Sequence, residues 1–218
     1  MCLTIYMLQT VKNEEARKKL IEAAGQIFAE VGYEAATVRQ ITDRAQVNLA
    51  AVNYYFGDKR QLYRTVLQSI TGRTICLLKQ HCAVGDAELR LHHFVRCVLM
   101  AENAEEPLWS RVLMAREVME LHEAQANLIV EAIRPMHEIA ESIVRSLMGD
   151  STDQERVRLA TGFLVSLCVN RGPQLQMDRK LYPDLEQHSI TLDIGKNIEA
   201  LCRFAQAGIC ALTKVSFP

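Results

Sequence analysis

The chain has 218 residues, 49% of them apolar and 23% charged, with a formal net charge of −1. This composition supports a buried core and excludes a disordered or collagen-like chain, while the near-zero charge excludes a bulk field that would announce nucleic acid or an anionic membrane as partner. Ten glycines and five prolines are few for such a length, which argues against a turn-rich all-β fold and leaves long helices.

The first helix is predicted to follow Asn13, whose side chain can cap it, with Glu14 and Glu15 near the positive end of the helix dipole. The residues before it read as a loose arm. Leu20, Ala24, Ile27, Phe28 and Val31 recur at helical spacing, and Gly32 stops the helix. Thr37-Val38-Arg39-Gln40 is a capping box that opens a second helix with Val38, Ile41 and Ala45 on its apolar side. After a break at Gln46-Val47-Asn48, a third short helix runs from Leu49 to about Tyr55, and Gly57 ends it. Asp58, with Gln61 three residues on, opens a longer fourth helix that carries Leu62, Val66, Ile70, Leu77 and His81, with Gly72 a soft point inside it. Further amphipathic runs cover roughly 86–103, 108–122, 127–148, 153–171 and 194–213. Pro135 is expected to bend or restart its helix, and the non-periodic stretch Gly172–Asp193 reads as a connector between the last two helices.

The seven cysteines form no C-x-x-C pair and several sit in apolar helical runs, which suits reduced thiols. The N-terminus lacks the basic region of a signal peptide, and no run of about 18 apolar residues is present to span a membrane. A cytoplasmic protein without a membrane partner is expected. There is no H-E-x-x-H, G-x-S-x-G, P-loop or G-x-G-x-x-G motif, and His92-His93 fall on different helix faces. Enzyme activity, a cofactor and a metal site are therefore not expected.

Two short helices joined by a tight turn behind a supporting helix make a helix-turn-helix. The third helix is narrow enough for a major groove, because Ala50 and Ala51 let the backbone approach closely and can press on thymine methyls. Asn53 offers an amide edge to adenine, while Val52 and Phe56 should face inward. Thr37 combines a hydroxyl with the free amides of a helix start, and Arg39 and Gln40 project from the same turn toward phosphate. Residues 1–73 carry a formal +3 and residues 74–218 a formal −4, so the near-neutral total averages two unlike parts.

The stretch from Leu20 to Tyr63 closely resembles the DNA-binding domain of TetR-family transcriptional regulators. The matching features are Ala24 and Phe28, Gly32-Tyr33, the Thr37–Ile41 opening, Ala45, Val47 and Asn48, Tyr55-Phe56, and Lys59 followed by Leu62. The resemblance implies an all-α, TetR-like fold: an N-terminal arm and three-helix helix-turn-helix domain over 1–60, and a helical ligand-binding and dimerisation domain over 61–218. It implies phosphate contacts at Tyr55 and Lys59, and it places Asn48, Leu49 and Tyr54 on the same DNA-facing surface. A double-stranded DNA operator, a small-molecule effector and a second copy of the chain are the implied partners.

Family members dimerise through their last two helices. Here both are richer in apolar residues than one covered face requires, and Gly162, Ala205 and Gly208 allow close approach. Val157, Thr161, Leu164 and Cys168 on one, and Ile198, Cys202, Ala205 and Ile209 on the other, are the candidate interface residues, an intrachain core being the alternative for each. The family's ligand pocket lies in the C-terminal domain, with His81, Phe94, Cys97, Trp109, Leu113, His137 and Phe163 as candidate lining residues. Arg116-Glu117, inside an apolar helix, either grips an anionic ligand or forms a satisfied buried ion pair. The segments Leu113–Glu117, Ile133-Arg134-Pro135, Leu181–Asp184 and Phe204–Ile209 are similar to a CecR-type subgroup of the family. The function implied is a ligand-responsive repressor that binds a palindromic operator as a homodimer. Activation of transcription, or action through protein partners without an operator, are the alternatives.

Overall fold

A computed structural model describes residues 2–102, 107–120, 123–149, 152–183 and 193–214. Among them are ten helices and no strand: α1 (Cys2–Ala35), α2 (Val38–Ala45), α3 (Ala50–Phe56), α4 (Lys59–His81), α5 (Ala87–Glu102), α6 (Leu108–Glu120), α7 (Glu123–Met148), α8 (Gln154–Val169), α9 (Arg171–Leu181) and α10 (Ile194–Leu212). None of these helices is long and apolar enough to cross a membrane.

Three elements differ from the expectations above. The backbone of α1 is helical from Cys2, so Asn13 lies inside the helix instead of capping it. No glycine or proline stands in the first dozen residues to stop the helix from extending upstream. A further helix, α9, occupies the first half of the expected connector. Pro173 does not prevent it, because it is the third residue of the helix, where a backbone N–H has no intrahelical partner. Residues 184–192 of that connector lie outside the described residues. Finally, α7 runs through Pro135 as one helix, so the restart, one of the two expected effects, does not occur.

The chain divides into two compact units, with the divisions inside α4 at Thr71/Gly72 and inside α7 at Ala132/Ile133. The first unit holds α1 to α3, the start of α4, α6 and the start of α7. Its core joins Leu20, Ala24, Ile27 and Phe28 of α1 to Ile41 and Ala45 of α2, Val52 and Phe56 of α3, Leu62, Tyr63 and Val66 of α4, Leu113 of α6 and Leu128 of α7. Phe28 meets Tyr63 edge-on with ring centroids 4.9 Å apart, and Tyr33 closes on the same ring at 4.8 Å. Gly32 takes a positive φ of 79°, which only glycine adopts freely, and bends α1 there.

The second unit packs the end of α4 with α5, most of α7, α8, α9 and α10 around Leu78, Phe94, Val95, Ile143, Val144, Leu164 and Ile209. Arg90 ties this unit at two points, donating Nε to the Cys82 carbonyl at 2.9 Å and Nη2 to Ser142 Oγ at 2.6 Å. Arg171 joins α9 to α10 by donating to Asn197 Oδ1 at 2.7 and 2.9 Å while pairing with Asp178 at 3.3 Å.

Candidate nucleic-acid interface

The corner between α2 and α3 is built without glycine. Gln46 adopts the left-handed conformation (φ 54°, ψ 45°), its N–H donates to Asp43 O, and the next N–H, of Val47, donates back to Thr42 O at 3.1 Å. This is a Schellman closure with a glutamine at the position that usually carries glycine. Asn48 Oδ1 then accepts from Ala50 N at 2.9 Å and starts α3. With its apolar side, Val52 and Phe56, buried in the first unit, α3 turns the opposite side outward. There stand Leu49, Ala50, Asn53 and Tyr54, the tyrosine 75% exposed, with Ala51 half-buried at the edge.

Helix α2 begins with a capping box. Thr37 Oγ1 accepts from Gln40 N at 3.2 Å, and Gln40 Oε1 accepts from Thr37 N at 2.8 Å, so both side chains serve the capping box. Arg39 projects outward, 3.9 Å from Asp43 across an exposed pair that contributes little and can yield to a phosphate.

Two of the expected phosphate ligands have partners within the protein. The Tyr55 hydroxyl donates to Asn13 Oδ1 at 3.1 Å. Lys59 lies over the Tyr33 ring at 4.4 Å and donates to the Glu34 carbonyl at 3.3 Å. Burial pushes the Lys59 ammonium below its ordinary value, and the charge of Glu34 partly offsets that. Arg17 lies 5.5 Å over the Phe56 ring. Asn13 and Arg17 thus brace α3 from α1, a role sequence reading missed because some forty residues separate them from their partners.

The candidate ligand residues do not converge on one cavity. Phe94 and Cys97 are buried in the core of the second unit, where burial pushes the Cys97 thiol up. His137 is half-buried in that unit, and burial holds its imidazole below the ordinary value. His81 is exposed at the end of α4, its ring 5.8 Å from that of His93. In the first unit, Leu113 is fully buried and Trp109 packs on α1. Arg116 and Glu117 point apart: Arg116 pairs with Glu120 at 3.2 Å, whereas Glu117 is buried near Tyr63. Burial, followed by the Glu117 carboxylate, pushes the Tyr63 phenol far up. Among the described residues, no three His, Cys, Asp or Glu side chains gather as a metal centre requires.

Of the candidate interface residues, Val157, Thr161, Leu164, Cys168, Ile198, Ala205 and Ile209 are buried in the core of their own chain. Cys202 is half-buried, and its thiol is pushed up to about 11 by burial. The outward face of α8 and α10 is nevertheless apolar. A groove of about 750 Å³ runs along it, floored by Leu164, Ala205 and Ile209 and walled by Phe163 and Phe204. These two rings are 53% and 66% exposed. More apolar residues on α10 than one covered face requires were the sequence signal for this second face.

Comparison with known proteins places both parts of the chain. Residues 20–66 match the family model described as bacterial regulatory proteins, tetR family. Residues 87–209 match that of the HTH-type transcriptional dual regulator CecR, C-terminal domain. The CecR regulator of Shigella flexneri is 48% identical over 61 residues, which is 28% of this chain and 27% of that protein. The HTH-type transcriptional regulator BetI of Escherichia coli O45:K1 (strain S88 / ExPEC) is 38% identical over 82 residues, 36% of this chain and 42% of that protein. The chain therefore matches less than half the length of either relative. In overall fold it is similar to the fatty acid degradation regulator FadR from Bacillus halodurans, with a TM-score of 0.65 at 18% identity over 88% of this chain and 95% of that one.

Proposed function

The chain belongs to the TetR family of bacterial transcriptional regulators, with a C-terminal domain of the CecR type, and on that premise we propose that it is a homodimeric repressor released from its operator by a small molecule. The observation that carries the reading is the outward side of α3, where Ala50, Asn53 and Tyr54 stand clear of the core, in a helix-turn-helix whose α2 starts at a capping box. In this reading Asn53 reads a base edge and the two alanines bring the backbone close to it. Thr37 and Arg39 set the register on phosphate. A twofold dimer, closed through the apolar face of α8 and α10, presents two α3 helices to successive major grooves, about 34–36 Å apart, on a palindromic site.

The effector is assigned to the second unit, with the half-buried His137, whose imidazole burial holds below its ordinary value, as a polar group for it. Effector binding favours the state whose recognition helices no longer match the operator, and it does so only by its differential affinity for the two states. Helix α4 carries residues of both units and Gly72 stands at the division, which makes it the lever in this mechanism. The word "dual" in the name of the matched CecR relative supports a second reading, in which the same operator contact activates at some promoters.

Selection of bound genomic fragments, followed by anisotropy with the selected duplex, tests the proposal. Asn53→Ala is expected to relax preference at one base pair, by roughly 1–3 kcal/mol there. Arg39→Ala is expected to weaken all sequences evenly and to reduce the salt slope by about one. Failure to bind any fragment at low salt overturns the operator reading, and uniform losses in both variants overturn the role of Asn53.

A further inference from the structure

Helix α6 falls within the match to the C-terminal domain, yet it packs along α1 in the first unit. It is attached there at two places. Trp109 lays its ring on the backbone of Gly25, where a Cβ would stand 2.3 Å from a ring carbon, and its Nε1–H donates to Glu22 Oε1 at 2.7 Å. Two turns on, the Arg116 guanidinium lies 3.0 Å from the Cβ position of Gly32, held from behind by Glu120 at 3.2 Å. Just beyond, at the start of α7, Gln125 donates Nε2 to Glu34 Oε1 at 2.6 Å.

These contacts bear on operator binding because of where they end. Gly32 is the kink of α1, and α2 begins only six residues after it, at Val38. The Ala36 N–H returns to the Gly32 carbonyl at 3.2 Å, so the direction in which α2 leaves is tied to the kink. On the same short segment, Lys59 grips Tyr33 and Glu34 from α4. At Gly25 the rigid Trp109 ring rests directly on backbone, with no glycine side chain between the helices to give way, and at Gly32 the Arg116 guanidinium is held by Glu120. A shift of α6 must then be matched by α1, since packed interiors do not absorb displacement gradually.

We propose that Trp109 and Arg116 are positioning residues for operator binding, through which α6 sets the end of α1 that holds the helix-turn-helix in register. The inference rests on the regulator reading above and adds to it a route from α6 to the recognition helix through α1, beside the one along α4. Neither side chain touches DNA in this scheme.

Trp109 is the single tryptophan of the chain, so its emission reports on this junction alone. The full-length protein is titrated with the selected genomic duplex and with a scrambled duplex, while binding is followed in parallel by anisotropy. The expected result is a change in Trp109 emission that saturates with specific binding and is absent with the scrambled duplex. Glu22→Ala should abolish that change and weaken operator affinity about 5-fold or more, the lower end of ordinary coupling. Glu22→Gln, which keeps an acceptor for the indole N–H, should retain both. Glu22 is exposed, so neither substitution threatens the fold, and Arg116→Met provides the same affinity readout from the other contact. Saturated operator binding with unchanged emission, or full affinity in both Glu22→Ala and Arg116→Met, overturns the inference alone. Binding to no duplex at all overturns the regulator reading and this inference with it.

Discussion

Gln46 shows how much one residue decides in a short motif. Its left-handed backbone closes α2 and aims the chain into α3, at a position where a side chain with a Cβ is strained by about 1–2 kcal/mol. Gln46→Gly is expected to raise stability by about 0.5–1 kcal/mol, the relief of strain exceeding the entropy glycine adds to the unfolded chain. Denaturant unfolding measures this, and a loss of stability would mean that the glutamine side chain contributes a contact worth more than its strain. The corner was legible as a break at Gln46-Val47-Asn48, but its handedness was not, because no glycine marks it. His137 bears on pH in a similarly local way. Burial depresses its folded pKa below the ordinary 6.5, so between the two values the unfolded chain binds more protons. Stability is therefore complete above about pH 6.5 and declines as pH falls through that value toward the lower folded one. His137→Gln is expected to flatten this decline in thermal midpoints between about pH 7.5 and 5.5. An unchanged slope would place the proton uptake elsewhere.

At the scale of elements, most local signals held where the partners lie close in sequence, the Asn13 cap being the exception. The Thr37 capping box, the Gly57 stop and the Asp58 start all act within four residues, and each is present in the structure. The stretch that holds α9 reads as a connector in the sequence because it is non-periodic and contains Pro173 and Pro183, yet Pro173 falls in a first turn that tolerates it. Which residues meet across α1 and α6 was not legible at all, since Glu22 and Trp109 are 87 residues apart. Only packing brings a ligand candidate such as Trp109 onto the DNA-binding head. Pro135 does not restart α7, one of the two effects expected of it. Lacking an N–H, it leaves the Glu131 carbonyl without its usual donor, yet α7 continues, and the division between the two units falls at Ala132/Ile133. Pro135→Ala restores the missing bond and is expected to stabilise the protein by roughly 1–3 kcal/mol in urea unfolding. A destabilised variant would show that the packing around α7 requires the conformation proline imposes.

The whole molecule must compensate for a weak head. A formal +3 over residues 1–73 neutralises few phosphates, and the remaining chain carries −4. Since affinity for DNA rises with the number of phosphates contacted, the proposed dimer is expected to bind much more tightly than one head alone. The proposed means of joining them is the apolar groove of α8 and α10, whose walls Phe163 and Phe204 remain exposed in the single chain. Phe204→Glu tests this cleanly, because a side chain that is 66% exposed contributes little to the fold of its own chain. In a twofold interface the substitution occurs twice, and each buried carboxylate without a partner costs several kcal/mol. The variant is expected to sediment as a monomer with a native helical spectrum. Its residual DNA binding should show about half the wild-type salt slope, as one head contacts half the phosphates. A dimeric variant would move the interface elsewhere on the surface, and a monomer with undiminished affinity would mean that one head suffices, against the charge argument.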